Sequence, residues 1–222
     1  AFLVEPIQGE GGIIVPPQGY LAEAARICRE HDVLLICDEI QSGLGRTGRL
    51  LACQHDGVTP DAVTLGKALG GGLLPVSLFL ARREVMQVFS PGDHGSTFGG
   101  NPIAAAVGLA ALDMLIEEGL VERSARLGAH LLARLRAIEN PVIREVRGRG
   151  LFAGVELDRD SASAATVATK LLQAGVLTKD THRNTIRFAP PLIIEEAQID
   201  WVTDRVAEVL DELARADAHP LT

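Results

Sequence analysis

The stretch "VLLICDEI", Val33 to Ile40, decides the fold that the sequence predicts. Its first five residues are continuously apolar, which is typical of a strand that is buried on both faces of a parallel sheet. A segment with apolar residues at helical spacing, "YLAEAARICREH", precedes it, and two strand-like runs, "DAVTLG" and "PVSLFLA", follow it. Helices that alternate with apolar strands predict an α/β protein with a parallel sheet covered by helices on both sides.

The pattern changes after a long predicted helix from about Pro102 to Glu118, which Gly119 is expected to end. The remainder has the alternation of a smaller α+β unit. We therefore predict two parts, residues 1–119 and 120–222. The predicted elements of the second part are helices at 121–138, 164–173 and 195–216 and strands within "PVIREVRGRGLFAGVEL", "GVLTK" and "TIRFAP".

Composition and charge exclude several classes of protein. The 222 residues are 47% hydrophobic and 23% charged, enough to bury the core of one large or two modest domains. A formal net charge of −8 argues against nucleic acid or an anionic membrane as the main partner, in spite of the local "RGRG". The longest uncharged segment, Gly95 to Leu112, contains Asn101-Pro102 and four glycines, so we expect no membrane span.

Cysteine and histidine usage gives no sign of a disulfide framework or a metal site. Cys28, Cys37 and Cys53 form no CxxC pair, and the first two lie in apolar-periodic runs as small buried hydrophobes would. We expect a reducing, cytoplasmic setting. The six histidines show neither HxH nor HExxH spacing, so no metal is expected.

The stretch "VTLGKALGGG", Val63 to Gly72, places a single lysine at the end of a β-prone run and before three glycines. A phosphate-binding P-loop is excluded, because Asp61 stands where its first glycine is needed and Ala68 where its Ser or Thr is needed. A solvent-facing lysine is the ordinary interpretation of a lone Lys67. The carboxylate and the anion-binding loop described next favour an amine nucleophile instead.

A carboxylate and an anion-binding loop accompany this lysine. The strand of Val33 to Cys37 ends in Asp38, at the carboxyl edge where ligands of parallel sheets bind, although an acid there also serves as a turn cap. "GLGRTG" is not a dinucleotide motif, because its spacing is not GxGxxG before a helix. "GDHGSTFGGNP" offers Ser96 and Thr97 among glycines before a helix, which suits an anion or, alternatively, a glycine loop with an N-cap.

An amine, a carboxylate that can face a cation and a phosphate site together indicate pyridoxal phosphate chemistry. The sequence also resembles the second half of class III (fold type I) aminotransferases, over essentially its whole length. The motifs that carry the resemblance, in family order, are "VEPIQGEGG", "DEIQSGLGRTG", "LGKALGGG", "HGSTFGGNP" and "VRGRGL". The resemblance implies a large seven-stranded, mostly parallel domain, a small C-terminal α/β domain, and a homodimer with active sites at the subunit interface.

The resemblance also implies roles for particular residues. Lys67 matches the lysine that forms a Schiff base with the cofactor and later moves a proton. Asp38 matches the acid that keeps the pyridine nitrogen protonated. Ile40 matches the residue packed against one face of the ring, although plain core is an alternative, and Gln41 matches the amide that binds the phenolic oxygen.

Thr97, with Ser96 beside it, matches the hydroxyl that reaches the cofactor phosphate across the dimer interface. Glu5, in "VEP", matches a further acid near the cofactor, for which support is expected rather than chemistry. Glu10 and Arg187 match a pair that handles two substrates. In that pair the arginine binds the α-carboxylate of glutamate, and the glutamate residue neutralises the arginine when a diamino acid occupies the site.

Within the family, "GGLLPVS", "PGDHGSTFGGNP" and "DTHRNTIRFAPPLII" are most similar to the branch that transfers the δ-amino group of ornithine to 2-oxoglutarate. Two alternatives stay open. One is a class III enzyme for acetylornithine or another ω-amine, and the other is an inactive remnant that serves as a binding or dimerisation module.

The resemblance covers only the family's second half, without the glycine-rich phosphate turn, the stacking aromatic residue and the tyrosines of the substrate pocket. Because the sequence begins with Ala1 inside a strand-like run, we expect it to be part of something longer. A second chain that supplies the missing half and a truncated gene product are the other possibilities. A sheet that lacks several strands is expected to expose its edges and apolar faces.

Overall fold

The computed structural model describes residues 1–158, 163–182 and 184–218. The chain forms two compact units, each of which is described by itself. Unit 1 comprises Ala1–Ile7, Pro16–Gly45 and Arg49–Val121, and unit 2 comprises Gln8–Val15, Arg46–Gly48 and Glu122–Thr222.

Unit 1 is built on a four-stranded sheet with the order β1-β2-β3-β4. Its first three strands are parallel, and β4 runs antiparallel to β3. Its elements are β1 (Phe2–Val4), α1 (Tyr20–Glu30), β2 (Leu35–Asp38), β3 (Ala62–Leu65), β4 (Leu78–Ala81), α2 (Arg83–Met86) and α3 (Pro102–Glu117), with 3-10 turns at Ala52–Asp56 and Lys67–Gly70.

The direction of β4 departs from the parallel pattern predicted for "PVSLFLA". A parallel neighbour needs a long crossover, usually a helix, to return the chain to the same end of the sheet. The connection from β3 to β4 contains only the 3-10 turn Lys67–Gly70 and no long helix, so the chain reverses instead. The sheet is therefore mostly, but not wholly, parallel.

The apolar stripe of α1 packs on the β2 side of the sheet, as its helical spacing predicts. This cluster consists of Leu21, Ala25, Cys28, Leu35, Cys37, Cys53 and Val58. The prediction that Cys28 and Cys37 are buried is confirmed, and Cys53 is buried with them.

Unit 2 contains an antiparallel sheet with the order β5-β6-β8-β7. The elements that follow α3 along the chain are α4 (Leu120–Arg136), β5 (Ile143–Arg149), β6 (Phe152–Leu157), α5 (Ala164–Gln173), β7 (Lys179–Thr181), β8 (Thr185–Phe188) and α6 (Glu196–Ala218). The three predicted helices are present, each within two residues of its predicted bounds.

The prediction of a strand at "GVLTK" is wrong for most of that segment. Gly175 has a φ of 87°, in the left-handed region, and Val176 donates its backbone N–H to the carbonyl of Leu171 at 2.8 Å. This is the hydrogen-bonding pattern of a helix C-terminus that ends on glycine. The segment therefore terminates α5, and pairing begins only at Lys179.

Helices pack closely on the central strands of unit 2. The core includes Val155 of β6, Ile186 of β8 and Leu210 of α6, all with no solvent exposure. A Cβ added at Gly128 of α4 would lie 2.0 Å from the carbonyl carbon of Gly150, in the turn between β5 and β6. Only glycine at position 128 allows the helix to approach that turn so closely.

Unit 1 exposes apolar side chains on its edge strand β4 and on α3. Leu78, Phe79 and Leu80 of β4 are all exposed, and Ile103 of α3 is 67% exposed. Within the part of the chain that the structure describes, no helix is long and apolar enough to cross a membrane. Among the same residues, no group of three or more His, Cys, Asp or Glu could hold a metal ion.

Candidate active site

Asp38 is the last residue of β2 and pairs with Thr64 of β3. Its Oδ1 accepts two hydrogen bonds, each 3.0 Å long, from the backbone N–H of Ile40 and from the hydroxyl of Thr64. No described residue donates a hydrogen bond to Oδ2. Oδ1 therefore fixes the carboxylate. Its bond from Ile40 makes Asp38 a turn cap, which is one of the two roles that the sequence allowed. Oδ2 can accept a hydrogen bond from a ligand.

The neighbouring acid, Glu39, has a different role. It is only 1% exposed, and both of its oxygens are used inside unit 1. Oε2 accepts from the Ser42 hydroxyl at 2.7 Å, and Oε1 accepts from the backbone N–H of Cys53 at 2.8 Å. Glu39 therefore holds together the turn that follows β2, and Asp38 is the acid of this pair that stays available.

Lys67 begins the turn that follows β3 and is exposed. It lies three residues beyond Thr64, the partner of Asp38, and three residues reach at most about 11 Å. Because neighbouring strands are only about 4.8 Å apart, Lys67 and Asp38 share the carboxyl edge of the sheet. The backbone of Lys67 has a φ of 42°, a left-handed conformation that costs an L-residue roughly 1–2 kcal/mol.

Ile40 and Gln41 continue from Asp38 into the next turn, and both are partly buried. A Cβ built on Gly66, the residue before Lys67, would lie 3.5 Å from Cγ2 of Ile40. The Ile40 side chain therefore lies against the end of β3 and offers an apolar surface beside the lysine. Glu5 directly follows β1, whose Val4 pairs with Cys37, so it reaches the same edge of the sheet.

Ser96 and Thr97 lie in an exposed loop of unit 1. The N-cap of α3 is Asn101, whose Oδ1 accepts from the backbone N–H of Ala104 at 2.8 Å, so the two hydroxyls are not needed for that purpose. Among the described residues, no hydrogen bond connects Ser96 or Thr97 to Lys67 or Asp38.

Glu10 and Arg187 form an ion pair in unit 2, with 2.7 Å between Oε1 and Nη1. Arg187 lies on β8 and is 20% exposed, whereas Glu10 lies in a loop and is 59% exposed. The hydroxyl of Thr181 donates to the Glu10 carbonyl at 2.7 Å and so fixes the backbone of this loop. The backbone that carries Glu10 is therefore fixed, whereas the Glu10 carboxylate is accessible to water.

Arg147 of the "VRGRGL" motif anchors the same loop. Its Nη2 donates to the Gly12 carbonyl at 2.8 Å, and its Nε donates to the Ile13 carbonyl at 3.2 Å. Its charge is balanced by Glu145, at 2.6 Å, and by Glu156. This arginine is structural, and it places the backbone on which Glu10 is carried.

The sequence did not identify the contacts of two further residues, Thr64 and Arg46. Thr64 fixes Asp38, and its position on the strand next to Asp38 is the only signal that could have indicated this role. Arg46 of "GLGRTG" donates from Nη1 to the carbonyls of Leu151, at 3.0 Å, and Pro190, at 2.5 Å. Burial, followed by the positive charge of Arg187, lowers the pKa of Arg46 to about 10.

The described residues at the carboxyl edge of unit 1 fit pyridoxal phosphate by their chemistry. Lys67 offers an amine for an aldehyde, Oδ2 of Asp38 offers an acceptor for a protonated ring nitrogen, and Ile40 offers an apolar face. The fold is that of fold type I pyridoxal phosphate aminotransferases. The chain belongs to the aminotransferase class-III family, whose sequence profile matches residues 1–210.

Known proteins resemble this chain both in sequence and in structure. The ornithine aminotransferase of Geobacillus sp. (strain WCH70) is 56% identical over 209 residues, which are 94% of this chain and 52% of that protein. The Toxoplasma gondii ornithine aminotransferase, described with partial occupancy of PLP at its active site, has a TM-score of 0.94 and 48% identity, over 98% of this chain and 52% of that one.

An acetylornithine aminotransferase from Elizabethkingia anophelis is also similar, with a TM-score of 0.91 and 45% identity over 96% of this chain and 56% of that one. The chain spans about half the length of the curated relatives that it matches, 52% in the case of the Geobacillus protein.

Proposed function

We propose that this chain forms part of a pyridoxal phosphate-dependent aminotransferase that transfers the δ-amino group of L-ornithine to 2-oxoglutarate. The products are glutamate semialdehyde and glutamate. The reaction is ping-pong, so that the first product leaves before 2-oxoglutarate binds. Residues 1–119 supply the C-terminal part of the cofactor-binding domain, and residues 120–222 supply the small domain.

One observation supports the proposal more than any other. The carboxylate of Asp38 is fixed through Oδ1 and has no hydrogen bond from a described residue at Oδ2, and the adjacent strand leads within three residues to the amine of Lys67. A fixed acceptor and an amine at one edge of a sheet suit a ligand that carries both a protonated ring nitrogen and an aldehyde.

Pyridoxal phosphate, when bound, supplies an electron sink for the electron pair that remains when a proton leaves the carbon next to the amine. Oδ2 of Asp38 would accept the hydrogen bond of the protonated ring nitrogen and keep the ring positive. Lys67, in its neutral amine form, would hold the cofactor through Nζ and would then remove and return the proton at the substrate carbon. Ile40 would pack on the ring, and Gln41 would donate to its phenolic oxygen.

Glu10 and Arg187 discriminate between the two substrates by charge. When ornithine presents its δ-amine, the carboxylate of Glu10 stays on Arg187 and neutralises it. When 2-oxoglutarate or glutamate enters, Glu10 turns to solvent and Arg187 binds the α-carboxylate through two parallel hydrogen bonds. The high exposure of Glu10 supports this exchange.

The exposed hydroxyls of Ser96 and Thr97 are assigned to the cofactor phosphate of a partner subunit, in a homodimer with shared active sites. Glu5 supports the cofactor end of the sheet without taking part in the chemistry. The three buried thiols suit a cytoplasmic protein.

The proposal is tested by the absorption of bound pyridoxal phosphate. The purified chain is mixed with the cofactor, both alone and after co-expression with the part of the Geobacillus relative that this chain leaves unmatched. We expect visible absorption and, after borohydride reduction, a mass increase on the peptide that contains Lys67. The Lys67→Ala chain should show neither. Absence of attachment in both preparations would refute the catalytic proposal and favour an inactive binding module.

A second candidate, transamination of acetylornithine, is favoured by the likeness to the Elizabethkingia enzyme. Turnover of ornithine, acetylornithine and 4-aminobutyrate by the co-expressed protein separates the two candidates. Ornithine should be used best if the proposal is right. Preference for acetylornithine would assign the chain to the second candidate.

A further inference from the structure

Thr181 holds the peptide of Glu10 against the sheet of unit 2. Thr181 is the last residue of β7 and is only 5% exposed. Its hydroxyl donates to the carbonyl of Glu10, with 2.7 Å between the two oxygens. Because a buried hydroxyl has little freedom to exchange its acceptor for water, this bond fixes the loop at the residue that carries the carboxylate.

The backbone around Glu10 benefits from such a bond, because glycines stand on both sides of it. Residues 9–12 read "GEGG", and glycine restricts the chain less than any other residue. A hydrogen bond from the N–H of Gly12 to the carbonyl of Gly9, 3.1 Å long, closes this turn. Thr181 adds a bond inside the turn, at Glu10 itself, so that the side chain starts from a defined point.

The side chain of Glu10 reaches the same face of the sheet at a second point. Thr181 pairs with Thr185 of β8, and Arg187 lies two residues further along that strand. Paired residues, and residues two positions apart at roughly 7 Å, lie on one face of a sheet. Glu10 is therefore attached to that face twice, by its carbonyl to Thr181 and by Oε1 to Nη1 of Arg187 at 2.7 Å.

The two attachments differ in their access to solvent. The bond to the carbonyl comes from a buried residue, whereas the carboxylate is on a side chain that is 59% exposed. The proposed exchange between substrates requires the contact with Arg187 to open and close. A persistent bond at Thr181 lets the carboxylate leave and return while the peptide of Glu10 stays in place.

We infer that Thr181 is a positioning residue that determines substrate specificity, because its hydroxyl keeps the carboxylate of Glu10 within reach of Arg187. The inference rests on the proposed exchange of Glu10 between Arg187 and solvent. The reaction with ornithine, which needs Glu10 on Arg187, should then depend on Thr181. The reaction with glutamate, which needs Glu10 away from Arg187, should not.

The ion pair can be followed in the full chain without cofactor or turnover. The chain is labelled with nitrogen-15 arginine, and the Nε–Hε signal of Arg187 is assigned with Arg187→Lys. Glu10→Gln gives the signal of the arginine without the carboxylate. Thr181→Val removes the hydroxyl and should cause about half or more of the same shift, since an exposed ion pair contributes less than one hydrogen bond. Thr181→Ser, which keeps the hydroxyl, should stay close to the wild-type signal.

Two controls separate positioning of Glu10 from support of the sheet. In the Glu10→Gln background, Thr181→Val should leave the Arg187 signal unchanged, because no carboxylate remains to be positioned. Thr169→Val removes a hydroxyl bond within α5 and should leave the signal at its wild-type position. Unfolding followed by the fluorescence of Trp201 shows whether unit 2 of each variant is folded, and Thr181→Ala replaces Thr181→Val if the latter does not fold.

The co-expressed protein provides the test of specificity. In Thr181→Val, kcat/KM for ornithine should fall by about three- to tenfold, as expected for one hydrogen bond, whereas kcat/KM for glutamate as the amino donor should change by less than about twofold. Thr181→Ser should restore the value for ornithine. Equal losses for the two substrates would overturn the inference.

The arginine signal decides the inference independently of catalysis. An Arg187 signal that Thr181→Val leaves unchanged would overturn it, and so would an equal shift in the wild-type and Glu10→Gln backgrounds. Failure of cofactor attachment at Lys67 would refute the proposed function but would leave this signal readable. The two failures are therefore distinguishable.

Discussion

Unit 1 and unit 2 differ in how well their own sequences cover their sheets. In unit 2, five of the six residues of β6 are buried, and helices α4, α5 and α6 contribute to one continuous core. In unit 1, three consecutive residues of β4 are exposed, including Leu80 at 49%, although alternate residues of a strand normally face opposite sides. Both faces of that strand are therefore open.

This difference places the open apolar surface of the described residues in unit 1. The residues proposed to bind the cofactor lie in unit 1, the unit with open apolar surface, whereas the pair proposed to bind substrate carboxylates, Glu10 and Arg187, lies in unit 2. An exposed face of this kind needs a covering surface. The relatives, of which this chain spans about half, have the additional length to supply one.

Two intrinsic probes report the units separately. The only tryptophan, Trp201, lies in unit 2, and all three cysteines lie in unit 1. A hydrogen bond with Cys37, then burial and the charge of Glu39, raise the pKa of the Cys53 thiol well above its ordinary value. Thiol labelling therefore reports the opening of unit 1, and tryptophan fluorescence reports the unfolding of unit 2.

The largest expected effect is the difference in stability loss between a substitution in a buried strand and one in an exposed strand. Val155→Asp places an unpaired carboxylate in the core of unit 2 and should lower its free energy of unfolding by more than about 4 kcal/mol. Leu80→Asp, on the open strand of unit 1, should cost less than about 1 kcal/mol. Denaturant titrations with both probes check this. Similar losses would show that β4 is covered in solution.

A second contrast uses glycines. Gly128→Ala should destabilise unit 2 by about 2–4 kcal/mol, because the new methyl group meets the backbone of Gly150 and cannot be accommodated by rotating a side chain. Gly95→Ala in unit 1, where nothing lies within 4 Å of the added Cβ, is the matched control and should change stability by less than about 0.5 kcal/mol. A tolerated Gly128→Ala would contradict the close packing of α4.

A smaller effect is expected at the candidate site of unit 1. Thr64→Val removes the hydroxyl that donates to Oδ1 of Asp38 and should lower the stability of unit 1 by about 1–2 kcal/mol, as measured by thiol labelling. Cofactor binding should weaken with it, because the carboxylate is less well fixed. Thr169→Val, which removes an exposed hydroxyl bond in α5, should leave both unchanged. Equal stability of unit 1 and equal cofactor binding in the two variants would show that Thr64 does not fix Asp38.

The smallest effect is expected at the surface ion pairs of unit 2. Arg126 and Glu196 are 3.2 Å apart, and both are more than half exposed. Arg126→Gln should change the Trp201 unfolding midpoint by the equivalent of less than about 0.5 kcal/mol, and salt should change it little. A loss several times larger would mean that the stability of unit 2 depends on its surface charges rather than on its core.

The sequence predicted those features that depend on local pattern. The apolar run before Asp38 gave β2 and the acid at its end, and the helical spacings gave α3, α5 and α6. The direction of β4 and the start of β7 were not predicted, because each depends on which distant backbone groups pair. The partners Glu10 and Arg187 are 177 residues apart, and only the family resemblance linked them. Nothing local indicated that Thr64 bonds Asp38 or that Arg46 bonds the carbonyls of Leu151 and Pro190.

The backbone of Lys67 has a consequence for laboratory evolution. Glycine adopts its left-handed conformation without the steric cost that any residue with a Cβ carries. A library selected only for heat tolerance would therefore accumulate glycine at position 67. The selected protein would be more stable but would lack the amine. A library selected for turnover would retain the lysine, and the two selections would diverge first at this residue.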